Sequence, residues 1–261
     1  MIKKDINKSV FSFNTCLAVL VGLIFLTEPQ LAYIKASILG SVSGKDNYIN
    51  FLFTSLALGG YLIFTPLITA LPCVTGFCED YNSGFYKYIL IRVSRKKYLF
   101  SRLVSNAVAG GITTAMPMLI LFGLSIVLCV PYTKEHLKMG IYSPVHGTIL
   151  EQLELPGGGV YFGVTIVLLS FAFGVVWSTI GLAVSSIITN RYVALCAPFV
   201  IFFAMHLFFS GIKLEVFSPV NTILPDILPS FGFLIVYQLT MLIISTFVFL
   251  IFAGRRLKFE L

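Results

Sequence analysis

Six blocks of sequence, each free of charged residues and each long enough to cross a bilayer, decide what this chain can fold into. They run over about Val10–Leu26, Asn50–Cys73, Leu103–Pro131, Val160–Ile188, Tyr192–Gly211 and Phe231–Gly254. A helix needs roughly 20 apolar residues to span the hydrocarbon core. A transmembrane β-barrel would instead alternate apolar and polar residues in segments of about 10. These blocks are apolar on every side, so the expected fold is an all-α membrane protein of six transmembrane helices, with residues 1–261 as a single transmembrane domain. No small-x-small cleavage site follows Leu26, and five more blocks do, so the first block reads as a helix rather than a secretory signal.

Charge gives the expected orientation. Only 11% of the residues are charged, against about 25% in a soluble domain. With both termini cytosolic, 13 of the 18 basic residues fall on the inner side and five on the outer side, while seven of the 11 acids fall outside. Lys and Arg accumulate on cytosolic loops. The net charge of +7 therefore marks the side facing anionic lipid; no nucleic-acid partner is expected. The five cysteines form no framework, because none sits in an outer loop where a disulfide would persist. Cys73 and Cys78 have no nearby His to complete a zinc site, so both read as structural thiols.

The absences narrow the chemistry. No Asp, Glu, Lys or Arg lies inside any block, so the ionisable groups of a proton or ion relay are missing. No G-x-x-x-x-G-K-[ST] occurs; the Gly44-Lys45 pair is followed by Asp46. Neither nucleotide hydrolysis nor a cofactor is expected in this chain. There is no H-E-x-x-H, and His206, alone within its block, reads as a hydrogen-bonded packing residue. The chain is not expected to be an enzyme. Small residues four apart, Ala107 with Gly111 and Gly110 with Thr114, allow the third helix to approach a neighbour closely.

One polar segment stands out between the second and third blocks, Glu79 to Arg102, with six basic residues. Gly76 is expected to turn the chain out of the second span. Glu79 and Asp80 suit the first turn of a helix, where acids meet the positive end of its dipole. Phe85, Ile89 and Val93 form an apolar stripe at a spacing of four. Ser94 can cap a second helix that begins at Arg95 and runs into the third span. The segment is thus expected to be a short helix at the inner interface, a break, and a transmembrane helix. Such a helix either binds lipid head groups or is a lever that another protein pushes.

The order Glu79, Gly84, then Leu90-x-x-x-Ser94-Arg95-x-x-Tyr98-x-x-Ser101-Arg102 resembles the loop between the second and third spans of ABC-2 type exporter permeases. The short inner turn Thr189-Asn190-Arg191 and the proline-broken outer segment Val216 to Gly232 agree with that family. The resemblance implies a permease domain in a bacterial cell membrane, with a cytosolic coupling helix between helices 2 and 3. It implies a dimer with a second permease subunit, identical or different, and two copies of a separate ATPase subunit that carries ATP and Mg²⁺. Glu79, Asp80, Gly84, Phe85, Tyr88, Ile89, Arg92 and Arg95 are the residues it places against the ATPase. The substrate it implies is hydrophobic or amphipathic: a peptide, a lipid or a drug. The stretch before the first span, Met1 to Ser9, is short for the amphipathic elbow helix of many members, so an abbreviated or missing elbow is expected. A different reading stays open at this point, a membrane assembly or sensory subunit that docks a cytosolic partner and transports nothing.

Overall fold

The computed structural model describes residues 2–40, 46–72, 74–138, 142–225 and 227–259. Lys45, Cys73, Asp226 and Glu260, which enter the charge and thiol arguments, lie outside the described residues. The regular structure is helical, with no β-strand among the described residues. A nine-residue helix, α1 (Ile2–Val10), comes first. Next, α2 (Phe13–Thr27) runs through a 3₁₀ turn into α3 (Leu31–Ile38). The second apolar block forms α4 (Tyr48–Leu58) and α5 (Tyr61–Ala70), and the polar segment forms α6 (Gly76–Asn82) and α7 (Phe85–Leu90). The remaining helices are α8 (Arg95–Leu128), the short α9 (Lys134–Lys138), α10 (Val160–Ile187), α11 (Arg191–Gly211) and α12 (Phe231–Phe259).

Five helices are long and apolar enough to cross a membrane, and a sixth span results if the bent pair α4–α5 counts as one. The pair bends by 72°, which the apolar run did not announce. Gly59 ends α4 in extended backbone, with ψ at 150°. A Cβ there would come within 2.6 Å of the Ser55 carbonyl oxygen and closer still to that of Phe25 in α2. Glycine alone allows this approach, and two adjacent glycines each weaken a helix by about 1 kcal/mol. The break is buried against protein, where irregular backbone at membrane depth is tolerated.

The bent pair still carries the chain from one end of the bundle to the other. At its start, Asp46 accepts from the Val130 amide at 2.9 Å, just past the end of α8. The start of α10 is there too, since the Tyr132 amide donates to the Gly158 carbonyl at 2.9 Å. Beyond α5, Cys78 in α6 donates to the Ser185 and Ile188 carbonyls at 3.3 Å, at the other end of α10. That end also gathers α1, α7, the start of α8 and the last turns of α12. We call it the elbow end.

Two helices organise the bundle. α8 packs along α10 through a seam of small residues. A Cβ on Gly110 would lie 2.8 Å from the Gly174 carbonyl oxygen and closer to Ser178, and one on Gly174 would meet the Gly110 backbone and Thr114. Thr114 Oγ1 donates to the Ser170 carbonyl at 2.8 Å across the seam. The Gly110–Thr114 spacing therefore does what the sequence promised. α5 is tied to α8 by Tyr61, whose hydroxyl donates to the Thr114 carbonyl at 2.7 Å. The larger core joins Tyr61, Met118, Phe173, Trp177 and Phe202. The far end is closed by 3₁₀ turns, and Pro219, Asn221 and Thr222 of the proline-broken segment are buried there. His206 hydrogen-bonds to Ser218 at 2.8 Å, which accounts for it as a packing residue. Buried Glu154 accepts from the Ser143 hydroxyl and has His146 Nδ1 at 3.8 Å.

Candidate functional site

The polar segment folds as two short helices rather than one. Gly84 separates them in the left-handed region, at φ +69°, a conformation that glycine adopts without strain. Gly76 is not a turn residue. It opens α6, and its bare α-carbon lets the Arg102 guanidinium lie close, with Nη1 3.3 Å from where a Cβ would stand. Ser94 occupies the cap position of α8 with extended backbone, but its side chain makes no cap hydrogen bond. At 34 residues α8 is about 51 Å long. It outruns a hydrocarbon core of about 30 Å, so its first turns, including Arg102, reach the interface.

A second core anchors α6 and α7, which together form the elbow of this end, to three spans. Phe77 from α6 and Tyr86 from α7 are buried with Tyr98, Leu99, Leu182, Phe249 and Leu257. Phe77 meets Phe249 edge-on at 5.6 Å. Inside the elbow, Asp80 pairs with Arg102 and accepts from the Tyr98 hydroxyl at 2.7 Å. The Asp80 side chain is only 13% exposed. Asn82 donates to the Thr189 carbonyl at 2.9 Å, which joins α6 to the turn between α10 and α11. Arg256 of α12 reaches the Ile187 carbonyl and lies 5.3 Å over the Tyr81 ring. Burial pushes the Cys78 thiol up, which suits an inert structural cysteine. No disulfide joins the described cysteines.

The eight candidate residues do not form one surface. Phe85, Tyr88, Ile89 and Arg92 line a cleft of about 830 Å³, together with Lys4, Asp5 and Lys8 of α1. Phe85 is 53% exposed, Tyr88 70% and Ile91, which also lines the cleft, 81%. Gly84 supplies the turn that aims α7. Glu79 and Asp80 instead border a polar cavity of about 220 Å³ with Lys8 and Arg102. Arg95 lies elsewhere, in a groove between α8 and α12. Of the stripe Phe85, Ile89 and Val93 that the sequence marked, only Phe85 is fully outward; Ile89 packs partly on the second core, and the exposed ridge is Phe85, Tyr88 and Ile91. The inward anchor was Tyr86, 1% exposed, and its neighbour Phe85 concealed it because α7 is apolar on both faces. The contribution of α1 was missed as well. Ser101 donates to Asp5 at 2.6 Å, pinning α1 to α8 and setting Lys4 and Lys8 beside α7. Only the amphipathic pattern of Ile2–Val10 hinted at it.

The fold defines a multi-pass, all-helical membrane protein, with an aromatic cleft on a firmly braced elbow at one end of the bundle. No family model matches the chain, and neither a curated protein nor a solved structure shows a significant match.

Proposed function

We propose that this chain is the transmembrane subunit of an ATP-binding-cassette exporter of the ABC-2 type, with the elbow end cytosolic. Two separate ATPase subunits dock on the elbows of a permease dimer and supply ATP and Mg²⁺ chemistry. The cargo is a hydrophobic or amphipathic peptide, lipid or drug. One observation carries this reading. Phe85 and Tyr88 on α7, and Ile91 at its end, are exposed, while Tyr86 of the same helix and Phe77 of the adjoining α6 lock the pair into α8, α10 and α12. A ridge that merely rested on lipid would not need bracing to three spans. A ridge that passes force into the bundle does. The resemblance of Glu79 to Arg102 to the family's coupling loop supports the same partner.

Orientation is tested first. Single cysteines at Ser83 and Glu135 are introduced into a cysteine-free variant, and intact cells are treated with a membrane-impermeant thiol reagent. Position 135 is expected to label and position 83 to stay silent, as the distribution of basic residues requires. Labelling at 83 alone would invert the topology and remove the cytosolic partner.

Docking is tested by co-purification and identification of the bound chain. Phe85→Asp puts a charge into the cleft and removes an aromatic anchor worth about 2 kcal/mol at a hot spot. Recovery of the ATPase is expected to fall at least about tenfold, the drop that 1.4 kcal/mol represents, with the membrane subunit retained. Unchanged recovery would make α7 a lipid anchor. A bound ATPase whose hydrolysis moves nothing across proteoliposomes would instead favour a docking subunit that transports nothing.

A further inference from the structure

A further groove at the elbow end has no part in the cleft beside α7. It lies between the start of α8 and the end of α12 and has a volume of about 1250 Å³. Its floor is apolar: Leu99 and Phe100 on one wall, Leu250 and Ile251 on the other. Its rim is basic, with Arg95, Lys96, Lys97 and Arg255, and no acid among the described residues lines it. Among the described residues none of these four cations is paired with a carboxylate. Arg95 spends one N–H on the Gly254 carbonyl at 3.4 Å, bridging the two helices across the groove. Ser94, also on the rim, gives no side-chain oxygen to the first turn of α8. The turn stands at the positive end of a long helix, which favours an anion there.

We propose that this groove holds an anionic phospholipid of the elbow-side leaflet. The phosphate sits among Lys96, Lys97, Arg255 and the first-turn amides of α8, and the acyl chains lie on Phe100, Leu250 and Ile251. Charge and depth together select this occupant. Leu250 and Ile251 lie four to five residues inside Arg255 on α12, about one helical turn deeper, so the floor enters the hydrocarbon as the rim leaves it. Basic pockets between spans on the cytoplasmic side are suited to anionic head groups. A second copy of the chain fits poorly, because a two-fold contact would set the four cations against the same four of the partner. The inference does not need the exporter reading; it concerns a different groove and is tested without an ATPase.

The test is native mass spectrometry of the purified full chain in detergent, titrated with phosphatidylglycerol and, separately, with phosphatidylcholine. Phosphatidylglycerol is expected to be retained preferentially, and excess glycerol phosphate is expected not to displace it, since a head group alone lacks the chains. Lys96→Gln/Lys97→Gln/Arg255→Gln is expected to lower phosphatidylglycerol retention about tenfold or more, since each basic residue at an anionic surface contributes appreciably. Ile251→Trp fills the floor, keeps every cation, and is expected to lower retention too. Lys3→Gln/Lys87→Gln/Arg191→Gln removes the same charge elsewhere at this end and is expected to leave retention unchanged. Equal retention of both lipids would overturn the proposal, as would an equal loss in the control triple. Displacement by glycerol phosphate would overturn it in favour of a free anion site. Conversion of a dimer to a monomer by Ile251→Trp would assign the groove to a second copy.

Discussion

Gly174→Leu is expected to remove most of the folded protein. A Cβ at this position would stand 2.8 Å from the Gly110 carbonyl carbon and closer still to its oxygen. The obstacle is backbone, so no rotamer change relieves it. Overpacking a close-packed site costs about 1–3 kcal/mol, and here the whole α8–α10 seam must part, which places the cost at the upper end, about 3 kcal/mol. Separation also breaks the bond from Thr114 to the Ser170 carbonyl. Without a hydrophobic drive between helices in lipid, close packing of small residues is what holds such a seam. Gly123→Ala is the matched control. Nothing lies within 4 Å of its added methyl, and a helix gains up to about 1 kcal/mol from the exchange. The single tryptophan, Trp177, is buried on α10 near the seam and reports unfolding by its emission. A lower midpoint for Gly174→Leu with an unchanged or higher one for Gly123→Ala is the expected pair. Equal midpoints for both would show that the seam does not hold the bundle.

What could be read from sequence was what depends on neighbours close in the chain. Charge-free blocks marked the fourth, fifth and sixth helices to within a few residues, because lipid exposure needs unbroken apolar sequence. The Gly110–Thr114 spacing announced a close helix approach for the same local reason. The break at Gly59 stayed hidden because its cause is the Phe25 carbonyl, far away in sequence. Two glycines in an apolar run are equally compatible with a straight helix packed tightly. α7 was ambiguous for a different reason. Phe85, Tyr86, Tyr88, Ile89 and Leu90 surround its one polar residue, Lys87, so periodicity cannot say which ring points inward; contacts with Tyr98, Leu182 and Phe249 decide it. Asp80 was read as favourable to a helix dipole and available to a partner. Its actual neighbours, Tyr98 and Arg102, lie about five helical turns of chain away and nothing local predicts the pairing.

That pairing yields the second large effect. Arg102→Met, which keeps an unbranched apolar stem and removes the guanidinium, leaves Asp80 charged in a site where its side chain is 13% exposed. Breaking one side of a buried ion pair costs about 3–5 kcal/mol. Arg102 is itself 25% exposed, so some solvent screens the abandoned carboxylate and about 2–3 kcal/mol is the expectation. Adding Asp80→Asn removes the orphaned charge while an amide oxygen still accepts from the Tyr98 hydroxyl. The double variant is therefore expected to recover most of the loss, with a coupling energy of about 1.5 kcal/mol or more in the double-mutant cycle. A loss in Arg102→Met below about 0.5 kcal/mol would class the pair with surface ion pairs. The consequence for function follows from position. The pair and Tyr98 are the polar strut between the elbow and α8, while Phe85 and Tyr88 line the separate cleft that the proposed function assigns to the ATPase. In the double variant the cleft is intact, so the ATPase is expected to co-purify at its full amount. With the strut's charge gone, ATP hydrolysis is expected to proceed with reduced export per ATP. Binding and export falling together would show instead that Asp80 and Arg102 serve only to fold the elbow.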